Sequence, residues 1–413
     1  MHFYEFNGKI LISISEYENL TKISEEEASN ESGMIYLLKN IDPIKSRRSF
    51  AVSHPSLFFN NDEGLNLLKL NNDPVHRISK WIVDKIEKGQ ITGINTAYDN
   101  WQEALNHSLP KKWRIHIAGL GDVGGTLLIG LRLLGGDCIE EIGIYDKDPN
   151  KLKRFEFEIN QINSMGAPNL PPVKILQEDQ VFNCDLFVFC IAARVPPIGE
   201  EKVDVRMVQL EGNSKIINLY GKLARETKFK GVFAVVSDPV DLLCKSVYIA
   251  SNTDLHGNMD LQGLCPEQIR GYGLGVMNAR ALYYANKEDA TRHFATEGRS
   301  FGPHGEDLVI ADSIENYNKS LSLFLTEKTR TANLELRKVG FKPYIAPALS
   351  SGALSIIATI KGEWHYSATF MGGVYMGSKN RLTQAGTELE ILDLPDSLYS
   401  RLENTYNKLG AIL

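Results

Sequence analysis

Residues 114–146 carry the types and spacing needed to hold a phosphate-linked dinucleotide. An apolar run over 114–118 leads into Gly119-Leu120-Gly121-Asp122-Val123-Gly124, and a helical pattern follows at once. Gly119 and Gly121 permit a tight turn and let the backbone approach a pyrophosphate, with Asp122 and Val123 inside the same contact. Gly124 lets the helix pack closely on the strand, and the helix N-terminus adds partial positive charge. Asp146 ends the next apolar run, 22 residues beyond Gly124. A carboxylate there accepts hydrogen bonds from the adenosine ribose hydroxyls and repels a 2'-phosphate. NAD is therefore expected over NADP, although Lys147 beside it weakens the preference. The bland alternative is a glycine turn with a surface acid after a strand. The complete series of strand, glycine turn, helix, strand and acid argues against it.

A parallel sheet with crossover helices is required to set out such a series. Strands are expected over 114–118, 141–145, 185–191, 215–219 and 231–236, with a helix over 126–134. Beyond Pro239 helices and longer loops dominate, and a helix over 397–409 closes the chain. The first hundred residues read differently. Segments 3–6 and 10–13 alternate around Asn7-Gly8 as a hairpin does, 34–38 and 49–53 add strands, and 75–88 places Ile78, Ile82 and Ile86 on one helical face that stops at Gly89. A second short helix lies around Tyr98, Trp101 and Leu105. No chemical motif appears there, so an α+β appendage used for oligomer contacts is expected.

Composition narrows the partners. The chain has 413 residues, 43% of them hydrophobic, enough for two or three domains, and a net charge of -6 without a dense Lys/Arg stripe. No nucleic-acid partner is expected. No apolar run is long enough to span a bilayer, and the N-terminus is not of signal-peptide type, so no membrane partner is expected and a cytoplasmic location is. Five cysteines, an odd number without CxxC spacing, disfavour a disulfide framework and a zinc site.

Four later segments, in order, resemble the lactate/malate dehydrogenase family across about 112–409. "CDLFVFCIAARVPPIG" (184–199) looks like the strand, continuing through Ala192 and Ala193, and mobile loop that cover the nicotinamide. "VVSDPVD" (235–241) looks like the family's strand and Asn-Pro-Val-Asp; "GYGLGVMNAR" (271–280) is similar to the segment ending in the substrate-binding arginine; "GPHGED" (302–307) matches the loop of the catalytic histidine. The resemblance implies His304 as the acid/base and Arg280 as the guanidinium that grips a substrate carboxylate with paired hydrogen bonds. A histidine titrates near neutral pH and so serves both directions of a hydride transfer. The alternatives are a structural histidine, disfavoured by the flanking Gly302 and Gly305, and an arginine snorkelling from a helix end.

Three positions depart from the family. Met277 stands where the family has the aspartate that orients the histidine. Lys202 stands where the loop has its carbonyl-polarising arginine, with Arg194 and Arg206 as competitors. Asp238 replaces the asparagine near the nicotinamide ribose and is expected to take over partly from the missing aspartate. Pro196, at the loop's specificity position, offers no partner to a second carboxylate and disfavours oxaloacetate.

The expected architecture is an N-terminal α+β appendage (1–110), a Rossmann doubly wound parallel sheet binding NAD (111–240) and a mixed α/β substrate domain (241–413). The expected activity is NAD-dependent interconversion of a small-molecule 2-hydroxy acid and its 2-oxo acid in a homo-oligomer, dimer or tetramer, as the resemblance implies. The alternatives are an NAD-binding protein with little turnover and a dehydrogenase of amino-bearing or otherwise modified substrates.

Overall fold

The computed structural model describes residues 1–72, 75–163, 165–166, 169–193 and 205–412, without the side chains of 75 and 205–208. The chain divides into two compact units, one of 1–109 with 370–373 and 380–394, the other of 110–369 with 374–379 and 395–413. Residues 111–240 fall with most of 241–413 in one unit, and the 370–394 region is largely shared out to the first.

In the first unit β1 (His2–Phe6), β2 (Lys9–Ser13), β3 (Thr21–Lys22), β4 (Ile35–Lys39), β5 (Ser49–Ala51) and β6 (Ile91–Asn95) form a mixed sheet of order β3-β1-β2-β4-β6-β5. The β1/β2 hairpin turns on Asn7 and Gly8, with φ of 52° and 72°. Two positive φ angles are what a two-residue type I′ turn demands. Helix α1 (Lys80–Glu87) buries Ile82 and Ile86, while Val75–Arg77 forms a separate 3-10 turn and shortens the expected helix. The second short helix is a 3-10 segment, Trp101–Asn106. Tyr4, Leu11, Leu38 and Ile94 pack together as the core of this unit.

The second unit is built on six parallel strands: β7 (Trp113–Ala118), β8 (Ile139–Tyr145), β9 (Val173–Ile175), β10 (Leu186–Phe189), β11 (Val232–Val235) and β12 (Ile269–Gly271). Their order, β9-β8-β7-β10-β11-β12, is that of a doubly wound dinucleotide fold, and it reverses between β7 and β10. All four residues of β10 are fully buried, which is why this strand is apolar without alternation. The helices are α2 (Asp122–Leu134), α3 (Pro149–Asn160), α4 (Val205–Glu226), α5 (Val240–Ser251) and α6 (Leu274–Ala285). The strand expected over 215–219 is instead part of α4. Its buried positions Leu210, Asn213, Ile217, Gly221 and Ala224 recur at helical spacing, but Asn213 and Gly221 interrupt the apolar signal and leave Ile216-Ile217 looking like a strand.

Beyond β12, β13 (Arg299–Phe301) and β14 (Val309–Ala311) form an antiparallel ribbon whose connection carries His304. Helix α7 (Lys319–Lys338) follows, and a π-helical stretch, Pro347–Ala353, runs into α8 (Leu354–Lys361). Strand β15 (His365–Met371) pairs antiparallel with β12 and adjoins β16 (Val374–Thr383). The end of β16 pairs with β17 (Gly386–Leu389) within the first unit, and α9 (Asp396–Gly410) is the closing helix expected near 397–409. Strands β15 to β17 were not expected from the sequence. Nearly every residue of β15 is buried on both faces, Ser367 and Thr369 included, so no period-two pattern marks it.

Candidate functional site

The glycine turn leaves β7 where the strand order reverses. Gly119 has φ +96°, and a Cβ there would stand 2.9 Å from the Cys190 carbonyl at the end of β10. Only glycine fits that close approach of two strand ends. A Cβ on Gly124 would collide with the Gly119 carbonyl, while one on Gly121 would meet nothing within 4 Å. Gly124 thus serves packing and Gly121 faces open space. No side chain caps the start of α2, where Gly121 is the cap residue, so its first N–H groups are not claimed by a capping side chain.

Asp146 follows β8 and folds back onto the turn. Its carboxylate accepts from the Leu120 N–H at 2.7 Å and the Asp148 N–H at 3.0 Å, with Lys151 Nζ 3.8 Å away. Asp146, expected from the sequence as the ribose acceptor, therefore braces the glycine turn. Gly119, Gly121, Asp122, Val123 and Asp146 line one cavity of about 1610 Å³, and Ala192 lines it too. Ala193 donates its N–H to Asn213 Oδ1 at 2.6 Å instead. Val181, Ile216, Leu219 and Tyr220 give the cavity apolar and aromatic lining. Tyr220 stacks on Phe187 with ring centroids 5.6 Å apart.

His304 and Asp238 line the same cavity. His304 Nδ1 lies 2.8 Å from Asp238 Oδ1, with side-chain exposures of 13% and 47%, and the His304 N–H points to Asp241 Oδ2 at 3.4 Å. The imidazole is sheltered while its carboxylate partner is half in solvent. Met277 is buried in an apolar cluster with Val276, Leu308 and Leu325 and gives His304 no acid. Arg280, one turn along α6, donates from Nη2 to Asn333 Oδ1 at 2.5 Å and from Nη1 to Met277 Sδ at 3.5 Å. Burial presses its guanidinium below the ordinary range, and the Asp238 charge acts in the opposite direction. Asn333 lines the cavity, whereas Arg280 is not among its lining residues.

Two asparagines carry more of this arrangement than the sequence reading allowed. Asn213, buried in α4, donates to the Asp238 backbone carbonyl at 2.6 Å while accepting from the Ala193 N–H, tying the chain after β10 to the backbone of Asp238. A polar residue at a helix core position was the available signal. Asn333 lies on α7, far along the chain from any motif, and no local pattern marks it. Lys202, Arg194 and Pro196 lie outside the described residues, as does the expected loop 194–201, and the side chain of Arg206 is likewise undescribed. Among the described residues no group of His, Cys, Asp and Glu could hold a metal ion, and no helix is long and apolar enough to cross a membrane.

No protein-family profile matches the chain. It is 27% identical to the L-lactate dehydrogenase of Staphylococcus saprophyticus over 208 residues, which are 50% of this chain and 59% of that relative. The match thus spans well under two thirds of that relative's length. It is 23% identical over 332 residues to L-lactate dehydrogenase 2 of Staphylococcus aureus, covering 73% of this chain and 98% of the relative. Its fold matches that of a minor L-lactate dehydrogenase from Enterococcus mundtii, solved in ligand-bound form, with a TM-score of 0.59 at 15% identity over 73% of this chain and 98% of the other. The chain is thus similar in sequence to L-lactate dehydrogenases and shares their fold.

Proposed function

We propose that the chain is an NAD-dependent oxidoreductase that interconverts a 2-hydroxy acid and its 2-oxo acid, with His304 as acid/base and Asp238 as its carboxylate partner. One observation carries the reading: the His304–Asp238 pair, 2.8 Å apart, lines the same cavity as the Gly119–Gly121 turn and Asp146. The turn fits a dinucleotide, because Gly121 opens on the cavity and the start of α2 has no side-chain cap. The nicotinamide, when bound, supplies or accepts the hydride.

The chain's own residues do the rest. Gly121 and the first turn of α2 present N–H groups to the diphosphate, with Gly119, Val123 and Ala192 on the surrounding wall. The Asp238 carboxylate accepts a hydrogen bond from the Nδ1–H of His304, which leaves Nε2 to take the hydroxyl proton during oxidation and return it during reduction. Asp238 also stabilises the imidazolium formed in between. Arg280, positioned by Asn333, supplies positive charge for the substrate carboxylate. Lys202 is assigned the polarisation of the substrate carbonyl.

Mixing the protein with NADH and a panel of 2-oxo acids, and following absorbance of the reduced nicotinamide, tests the proposal. Turnover that disappears in His304→Ala is expected. Tight NADH binding with no turnover on any 2-oxo acid would leave a nucleotide-binding protein in its place.

A further inference from the structure

The cavity wall opposite the glycine turn is formed by the end of α7 and the chain after it. Asn333 bonds Arg280 at the catalytic end of the cavity. The helix ends at Lys338, Gly340 turns the chain with φ +89°, and Lys342 then reaches Asp122, its Nζ 3.8 Å from the carboxylate. One short segment therefore touches both the catalytic cluster and the phosphate turn, and Asn333, Phe341, Lys342 and Tyr344 all line the cavity.

The charges at the turn pose a problem that this segment solves. Asp122 is the first residue of α2, so its carboxylate stands at the helix N-terminus where a diphosphate must also come. Two anions competing for one helix end weaken each other unless a cation joins them. Lys151 is near Asp146, whereas among the described residues Lys342 forms an ion pair with Asp122. The Lys342–Asp122 pair is 83% and 57% exposed. Such a pair does little to hold a fold together, so the ammonium is at liberty to turn toward a phosphate. Phe341, 68% exposed beside it, also faces the cavity, and the segment thus presents a ring and a charge to one ligand.

We infer that Lys342 is a cofactor-binding residue, which reaches from the catalytic half of the unit onto the diphosphate of the dinucleotide and offsets the charge of Asp122. The inference rests on the proposed function in one respect, that this cavity takes a nicotinamide dinucleotide. It assigns to the wall opposite the glycine turn a part in binding that the turn and Asp146 do not perform.

Titrating the full chain with NADH, by fluorescence, and displacing it with ADP-ribose or adenosine tests the inference without any turnover. Lys342→Ala weakens NADH by roughly tenfold, the worth of one charge-assisted contact. ADP-ribose weakens by the same factor, adenosine is unaffected, and Lys342→Arg retains most of the affinity. Adding Asp122→Asn to Lys342→Ala recovers much of the loss, and added salt narrows the gap between wild type and Lys342→Ala. Unchanged NADH binding in Lys342→Ala overturns the inference alone. So does an equal loss for NADH and adenosine, or an arginine variant as weak as alanine. A wild-type chain that binds no NADH overturns this inference and the proposed function together.

Discussion

Replacing Asp238 by Asn isolates what the carboxylate does for His304. The amide oxygen still accepts from Nδ1 at the observed 2.8 Å, so the imidazole keeps its orientation and only the negative charge is lost. A hydrogen bond to a charged group contributes about 1.5–3 kcal/mol. At 47% exposure Asp238 is partly screened by water, which favours the lower half of that range. The expected loss in kcat is therefore roughly tenfold to fiftyfold, at about 1.4 kcal/mol per factor of ten. Reduction of a 2-oxo acid requires the imidazolium to give its proton, and an amide stabilises that cation less than a carboxylate does, so kcat falls while the KM for NADH is unchanged. Damage to cofactor binding would instead raise the KM for NADH. The assay is kcat and kcat/KM for NADH oxidation from pH 5 to 9, for wild type and Asp238→Asn. Superimposable profiles of equal height would refute the assignment of Asp238 as the histidine's partner.

Three further outcomes follow from particular residues. Gly119→Ala puts a Cβ 2.9 Å from the Cys190 carbonyl at φ +96°, so stability falls by roughly 1–3 kcal/mol and NADH affinity with it, read by melting temperature and fluorescence titration. Asp146→Ser removes the charge that repels a 2'-phosphate and the acceptor of the Leu120 N–H; the NADH/NADPH preference shrinks by about tenfold in binding, and an unchanged ratio would assign Asp146 to bracing the turn alone. Burial, aided by the Arg270 charge, presses buried His365 down to about 3 from 6.5. The unfolded chain binds the extra proton between those values, so stability falls as pH drops through that window, by about 2 kcal/mol from pH 6.5 to 5. His365→Gln flattens this acid limb in denaturant titrations at the two pH values.

The parts of the site legible in the sequence are those whose signals are local. The glycine turn needs φ freedom at Gly119 and close packing at Gly124, and both constraints act within six residues. Asp146 is placed by the length of one strand–helix–strand unit. The hairpin at Asn7-Gly8 is legible for the same reason. What escaped depends on partners distant in sequence. Asn213 looks like an interruption in α4 until its bonds to Ala193 and the Asp238 carbonyl are seen, and those partners are 20 and 25 residues away. Arg280 was legible as a guanidinium at the end of a helix, but the Asn333 carbonyl that holds it is 53 residues on. Strand β15 is polar in places where it is most buried, because Ser367 and Thr369 lie on covered faces and erase the alternation that would have announced it.

The vacancy left by Met277 has a physical explanation in the same contacts. Its side chain sits among Leu274, Val276, Leu308, Ile310 and Leu325, and a carboxylate in that setting would have to be desolvated with Arg280 as its nearby cation. Burying a charge costs several kcal/mol unless partners fully compensate it. Asp238 avoids that cost, because half of its side chain remains in solvent while one oxygen still reaches Nδ1 of His304. A screened carboxylate stabilises an imidazolium less than a buried one, yet it requires no buried ion pair to persist through folding. The carboxylate beside His304 is thus the one that follows β11, and the thioether of Met277 packs on the buried face of α6. Arg280 also feels the Asp238 charge, which couples this guanidinium to the same carboxylate that contacts the histidine.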